Sequence, residues 1–249
     1  MRKWVLTSIS VLIPVWGLFG WSISPTIMTI DPKKPQVFFT LTSEKGEKPV
    51  PVEVSVCERL IDSEGKDMEG APTKEFLIYP SHVILKPGDT RTIRVVWKGD
   101  KKLDQEKAYR LVASSLPLPV EAPDKKEDEE DLEVNIALGT RYINSLYVAP
   151  KGAKPKIQCR AAYLHPNEVG WVVVELENVG NAHQFLEELS LHLKGEGGEL
   201  WHVTKEIFKN QYGRGVNLLA HQTRKIQFPV HLLTEPASVD PSNGASDTR

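Results

Sequence analysis

The stretch Glu133–Val148 has the most regular hydrophobic pattern in the chain. In its first half, Val134, Ile136 and Leu138 alternate with small or polar residues, which predicts a β-strand with one apolar row. The charged run Asp124–Asp131 precedes it and indicates a solvated loop. Such a strand either packs its row into the core of its own domain or pairs with a strand of another chain, because an unpaired strand edge recruits further strands.

Short segments rich in β-branched and aromatic residues precede this stretch, and turn-forming residues separate them. They are Gln36–Thr42, Pro51–Leu60, Phe76–Tyr79, Val83–Leu85, Thr90–Trp97 and Ala108–Leu116. The polar segment Asp62–Thr73 is predicted to be a loop or a long hairpin tip, and no helix is predicted. About seven short strands of this spacing are typical of an immunoglobulin-like β-sandwich.

The Pro-, Gly- and Lys-containing segment Ala149–Pro155 predicts a linker, after which the strand pattern continues. The later strands are predicted at Ile157–Leu164, Trp171–Glu177, Phe185–Leu193, Leu200–Thr204 and Lys225–Val230. We therefore predict an all-β protein of two tandem immunoglobulin-like β-sandwich domains, at residues 23–150 and 151–234. Residues 235–249 have little to bury and are predicted to be disordered.

Residues 1–22 have the pattern of an export signal, with two basic residues followed by the apolar Trp4–Trp21. Small residues at the end of this segment predict cleavage after Ser22. A retained membrane anchor is the alternative, although the segment is short for a span and contains a proline. After cleavage no apolar span remains, so we expect a periplasmic or extracellular protein without stable membrane insertion.

Composition excludes several classes of function. The formal net charge of −2 gives no electrostatic footprint for nucleic acid. The seven histidines lack metal-ligand spacing, and no nucleophile or phosphate-binding motif occurs, so we expect no enzyme, no cofactor and no metal site. Cys57 and Cys159 fall in different predicted domains, and both a disulfide and free thiols remain open.

The sequence resembles the PapD-like periplasmic pilus chaperones of the chaperone–usher pathway. The resemblance is carried by FLIYPSHVILKPGDTRTIRVVWKG, then AYRLVASSLPLP, an acidic loop, and EVNIALGTRYINSLYVAP. WVVVELENVGN and LLAHQTRKIQFPV extend it more faintly into the second domain. The YRL and RY elements resemble the archaic or alternative branch of the family.

The resemblance implies a function. A pilus subunit of this pathway is an immunoglobulin-like fold that lacks its last strand, and the chaperone inserts an edge strand of its own. Val134, Ile136 and Leu138 match the alternating donor residues of the family. The implied partners are pilus subunits and an outer-membrane usher, and the implied compartment is the periplasm.

The family also anchors the subunit's C-terminal carboxylate with two basic residues between the domains, which fixes the register of the added strand. The N-terminal stretch here has no basic residue, and Ile143 occupies the position of the basic residue on the donor strand. On this resemblance, Arg141, two residues before Ile143, and Arg110, in the YRL element, are the expected pair. Alternatively, Arg110 forms a surface salt bridge and Arg141 caps a sheet edge.

A second hypothesis is a secreted structural or adhesive immunoglobulin-like module with no chaperone role. In that case the row of Val134, Ile136 and Leu138 would be buried within its own domain. A chaperone should instead co-purify with a pilus subunit.

Overall fold

The computed structural model describes residues 20–45, 48–62, 64–116, 139–194, 198 and 200–233. The described residues of the first part of the chain form ten strands: β1 (Trp21–Ser24), β2 (Ile27–Ile30), β3 (Gln36–Ser43), β4 (Val50–Ile61), β5 (Asp67–Pro72), β6 (Phe76–Tyr79), β7 (His82–Leu85), β8 (Thr90–Trp97), β9 (Lys107–Ser115) and β10 (Arg141–Val148). The strands form two facing sheets, one in the order β1-β3-β8-β6 and the other in the order β2-β10-β9-β4-β5, with β7 also paired to β4.

The core of this first sandwich lies between the two sheets, and strand alternation supplies it. Val52, Val54 and Val56 point inward from β4, and Ile93 and Val95 point inward from β8. The opposite row of β4 faces outward, as expected for a sheet with one polar face. The outward face of β10, β9, β4 and β5 therefore presents polar side chains to the rest of the molecule.

The second part of the chain has its own hydrophobic core. Its elements are β11 (Ile157–Leu164), β12 (Trp171–Asn178), β13 (Gln184–Phe185), β14 (Leu191–Lys194), β15 (Leu200–Val203), α1 (Lys205–Tyr212), β16 (Asn217–Leu218) and β17 (Thr223–Pro229). The strands pair as β11-β12-β17, β13-β16 and β14-β15. The all-β prediction is confirmed.

Three local features differ from the sequence analysis. The segment Asp62–Thr73, predicted as a polar loop or a long hairpin tip, forms the turn and the second strand of a hairpin, because β5 pairs with β4. The strand predicted at Phe185–Leu193 is interrupted by a 3-10 turn at Leu186–Glu188, which buries Leu186. The eight residues of α1 form a helix because Thr204 caps its N-terminus, Gly213 ends it at a φ of 75°, and Phe208 enters the second core.

β1 begins two residues before the predicted cleavage site. Trp21 is buried, pairs in register with Ser43, and packs edge-on against Tyr142 at 4.6 Å between ring centroids. Cleavage after Ser22 would remove half of β1, and the cleavage site stays a prediction because residues 1–19 lie outside the described part. No helix in the described ranges is long and apolar enough to span a membrane.

The two cysteines are free in the structure. Cys57 is buried on the outward face of β4, whereas Cys159 is exposed in β11. The structure therefore has two free thiols, of which only that of Cys57 is buried.

Candidate functional site

The N-terminal half of β10 has a strand on only one side. β9 pairs with all eight residues of β10, whereas the parallel strand β2 pairs only with Ser145–Val148. Within the described ranges no strand pairs with the other side of Arg141–Asn144. We call this side of Arg141–Asn144 the free edge.

The hydrogen-bonding groups of the free edge can be assigned from the neighbouring residue. The backbone N–H of Ser145 donates to the carbonyl of Thr26 at 2.9 Å, so it points toward the β2 side. Because backbone groups alternate in direction along a strand, the N–H and C=O groups of Arg141 and Ile143 point to the same side. The free edge therefore offers donors and acceptors for one more strand.

The two faces of β10 have different surroundings. Tyr142 and Asn144 face the core side, and their side chains donate hydrogen bonds to the carbonyls of Trp21 and Pro25, the latter at 2.7 Å. These bonds hold the segment from Trp21 to Pro25 beside β10, where the free edge ends. On the outward face the side chain of Ile143 is half exposed.

The predicted donor residues Val134, Ile136 and Leu138 lie outside the described residues. The described chain resumes at Gly139, and the carbonyl of Thr140 accepts a hydrogen bond from the N–H of Ser115 at 2.8 Å. The pairing of β9 with this segment thus extends at least one residue upstream of β10.

Two arginines converge on one carboxylate on the outward face. The Nε and Nη2 atoms of Arg59 donate to Oδ2 of Asp67 at 3.0 and 2.7 Å, and Nη2 of Arg110 donates to the same oxygen. Nη1 of Arg110 donates to Oγ of Ser145 at 2.6 Å, and Nη1 of Arg59 donates to the Tyr147 hydroxyl at 2.8 Å. These contacts form a strip across β10, β9, β4 and β5.

Burial within this strip is uneven. The Arg59 side chain is 3% exposed and that of Arg110 is 14% exposed, whereas Asp67 is 37% exposed. A buried guanidinium group needs an anionic partner, because burying an unpaired charge is costly. Arg59 and Arg110 therefore require an anion in this strip.

Arg141 has a different partner. Its Nη2 atom lies 2.5 Å from Oε2 of Glu69, and its side chain is half exposed. Arg110 lies opposite Ser145, four residues along β10 from Arg141, which corresponds to about 13 Å at about 3.3 Å per residue. The structure thus brings Arg110 together with Arg59, while Arg141 lies beside the free edge.

Arg59 was not among the residues selected from the sequence. The alternation of β4 places it on the same outward row as Cys57, which lies opposite Arg110. Strand alternation was therefore a usable signal for its face. Its convergence with Arg110 depends on the β4–β9 register and on the bulge between Cys57 and Arg59, which the sequence does not reveal.

The strip faces the second sandwich and is tied to it through Tyr147. Nδ2 of Asn217 donates to the Tyr147 hydroxyl at 2.6 Å, and the Tyr147 ring stacks on His183 at 3.9 Å. Nδ1 of His183 lies 2.8 Å from Oε1 of the buried Glu106. Burial raises the pKa of Tyr147, which keeps the hydroxyl protonated.

A second contact between the sandwiches lies at the tip of the β4–β5 hairpin. Nε2 of Gln222 donates to the carbonyl of Ile61 at 2.6 Å, and Gly65, at a φ of 84°, lies against the Arg224 side chain. A Cβ atom at this glycine would collide with Arg224. Burial lowers the pKa of Arg224, and its Nη1 donates to the carbonyl of Asn217 at 3.0 Å. The hairpin that carries Asp67 is thus held against both sandwiches.

The arrangement offers an open strand edge and two arginine side chains that converge on one carboxylate. In the described part of the chain no group of three or more His, Cys, Asp or Glu side chains could hold a metal ion.

Comparison with known proteins adds a family and a fold. The profile of the pili and flagellar-assembly chaperones, PapD N-terminal domain, matches residues 20–154. A search of curated proteins gave no match.

Solved structures match almost the whole chain. A chain of the chaperone–tip adhesin complex of CFA/I fimbriae biogenesis matches with a TM-score of 0.55 at 11% identity, over 90% of this chain and 95% of that chain. The Escherichia coli chaperone DraB matches with a TM-score of 0.53 at 14% identity, over 85% of both chains. The complex of Salmonella enterica SafA pilin with the SafB chaperone gives a TM-score of 0.53 at 15% identity, over 86% of both chains. At these identities the likeness shows the fold, and the prediction of two tandem immunoglobulin-like β-sandwiches is confirmed.

Proposed function

Because the chain belongs to the PapD-like pilus chaperones, we propose that it captures incomplete pilus subunits in the periplasm by donating an edge strand and delivers them to an outer-membrane usher. Its family consists of assembly chaperones, so the prediction that it is not an enzyme is confirmed. The proposed partners are immunoglobulin-like subunits that lack their last strand.

The free edge of β10 is the observation that carries this proposal. Its backbone groups are available at Arg141 and Ile143, directly after the predicted donor residues Val134, Ile136 and Leu138. Main-chain hydrogen bonds to such an edge supply affinity without regard to sequence, and alternate side chains that fill pockets supply specificity. One continuous segment, from Val134 to Ile143, would thus provide both affinity and specificity.

The end of the free edge favours one orientation of the incoming strand. β2 occupies the edge from Ser145 onward, and Ser145 lies opposite Arg110. A subunit strand must therefore stop near Ser145. If its C-terminal carboxylate is to lie near Arg110, the strand must run parallel to β10, in line with β2.

The donor residues would add to the binding free energy that the main-chain hydrogen bonds supply. Burying each of Val134, Ile136 and Leu138 is worth about 1.5–3 kcal/mol. The row would thus contribute several kcal/mol before the cost of ordering the segment and immobilising the partner is subtracted.

The proposed roles of the two basic residues follow from their positions. Arg110 lies where the incoming strand would end, and its charge is already desolvated, so it is proposed to contact the subunit's carboxylate. Arg141 lies beside the free edge and is half exposed, so it is proposed to contact the same subunit further along the strand.

Co-expression with a pilus subunit of the chaperone–usher type tests the proposal. Replacing Ile136 with Asp places a charge in the apolar row and should abolish co-purification of the subunit from periplasmic extracts, while the chain stays folded. Ile84→Asp is the matched control, since Ile84 is exposed on β7, which β4 and β9 separate from β10. Equal recovery of subunit with Ile136→Asp and with the control would refute strand donation. A chain found in the medium with no subunit would support a secreted module instead.

A further inference from the structure

Asp67 occupies a position that has the chemistry of a carboxylate-binding site. One of its oxygens accepts hydrogen bonds from both Arg59 and Arg110, as described above. Two guanidinium groups that converge on a single carboxylate oxygen form a charge-assisted clamp. In this clamp the two arginine side chains are buried and the carboxylate is the most exposed member.

We propose that Arg59 and Arg110 form the binding site for the subunit's C-terminal carboxylate, and that Asp67 is an internal carboxylate that holds this site until a subunit displaces it. The inference rests on the proposed function, because it supplies the second basic group for the carboxylate anchor. It makes the hairpin residue Asp67 a competitor of the ligand.

The location of the clamp agrees with the path of the incoming strand. Arg110 bonds to Ser145, the residue at which β2 closes the free edge. Arg59 is kept in its orientation from the other side by the Tyr147 hydroxyl. The guanidinium groups are thus fixed independently of Asp67, so the clamp persists when that carboxylate leaves.

Exchange requires movement of one side chain only. The hairpin backbone is held by the bond from Gln222 to Ile61, and Gly65 packs against Arg224. Asp67 is partly exposed, so a rotation of its side chain toward solvent would leave the backbone pairing of Asp67 with Ile61 in place. The two buried arginines then exchange one carboxylate for another, and neither is left without an anionic partner in the bound state.

An internal competitor lowers the apparent affinity of a ligand by the fraction of molecules in which the site is open. If about one molecule in ten is open, Asp67→Asn should raise the affinity for a carboxylate about tenfold. Asparagine keeps the size of the side chain and removes its charge. Asp89→Asn is the matched control, because Asp89 also pairs with an arginine, Arg91, but lies directly before β8 on the other sheet.

The test uses the mature chain and two small probes, acetate and its uncharged analogue acetamide. Binding is followed through the ¹⁵Nε resonances of Arg59 and Arg110. Acetate should shift both resonances in Asp67→Asn at about one tenth of the concentration that the wild type requires. Asp89→Asn should behave as the wild type, and acetamide should have no effect. Asp67→Asn that binds acetate no more tightly than the wild type, or that responds equally to acetamide, would overturn the inference.

A measurement on the wild type covers the case in which Asp67→Asn does not fold. A short acetylated peptide of alternating threonine and valine is added with either a free C-terminal carboxylate or a C-terminal amide. The carboxylate form should shift the ¹³Cγ resonance of Asp67 as that side chain is released, and the amide form should not. Equal effects of the two bound peptides would overturn the inference. If neither peptide binds, while acetate but not acetamide shifts the Arg59 and Arg110 resonances of the wild type, the carboxylate site stands and the proposed strand donation is contradicted.

Discussion

Replacing Tyr147 with Phe should loosen the junction between the two sandwiches. The Tyr147 side chain is fully buried, and its hydroxyl accepts hydrogen bonds from Arg59 in the first sandwich and from Asn217 in the second. Phenylalanine keeps the ring that stacks on His183. The substitution therefore removes the hydroxyl and leaves the packing in place.

The expected cost follows from the two donors that lose their acceptor. Asn217 is fully buried and Arg59 is 6% exposed, so water cannot readily replace the hydroxyl. A buried donor left unsatisfied costs about 1–3 kcal/mol, and more when it is charged. We expect the free energy of unfolding to fall by about 2–5 kcal/mol.

Urea unfolding with linear extrapolation measures this change. Tyr79→Phe is the control, because Tyr79 is 69% exposed and should change the free energy of unfolding by less than about 0.5 kcal/mol. Tyr147→Phe should also weaken subunit binding, because the Tyr147 hydroxyl orients Arg59. If Tyr147→Phe unfolds at the same urea concentration as Tyr79→Phe, the hydroxyl does not hold the junction and the argument is refuted.

Three further predictions concern charge. Arg110→Ala should weaken subunit binding by about 2–5 kcal/mol, because it removes a desolvated partner of the carboxylate. Arg141→Ala should weaken subunit binding more than the control Lys151→Ala, whose residue lies in the exposed linker. An arginine whose replacement weakens binding, measured by titration, no more than Lys151→Ala does is not part of the site. Burial raises the pKa of Glu75, but hydrogen bonds from Lys107 and Tyr109 outweigh it, so the pKa lies below its ordinary value of 4.5. A lowered pKa in the folded state stabilises the protein above the ordinary pKa, and this stability is lost as the pH falls through the folded value. Glu75→Gln should therefore flatten the acid limb of the free energy of unfolding against pH, and an unchanged slope would contradict the assignment.

Strand alternation predicted most of the first sandwich. The strands at Phe76–Tyr79 and Thr90–Trp97 have the predicted bounds, because proline or Pro-Gly turn signals flank them. The same alternation placed Val52, Val54 and Val56 on the core side of β4. Such patterns are read locally, since each residue's face depends only on its neighbours in the chain.

Features that depend on contacts between distant segments could not be predicted in this way. α1 is short, and its stability comes from burying Phe208 in the second core rather than from helical periodicity. Arg59 joins Arg110 only through the register of β4 with β9 and through Asp67, in a segment predicted as a loop or a long hairpin tip. The sequence analysis therefore selected Arg110 on β9 as a candidate but not Arg59 on β4, and the role of both stays a proposal.

Hydrogen exchange at the free edge tests the central claim most directly. The amides of Arg141 and Ile143 point away from β9, whereas those of Tyr142 and Asn144 point toward it and serve as internal controls. When a pilus subunit binds, we predict that exchange at Arg141 and Ile143 slows strongly while exchange at the two controls changes little. Unchanged exchange at Arg141 and Ile143 in a complex that contains bound subunit would contradict strand addition at this edge.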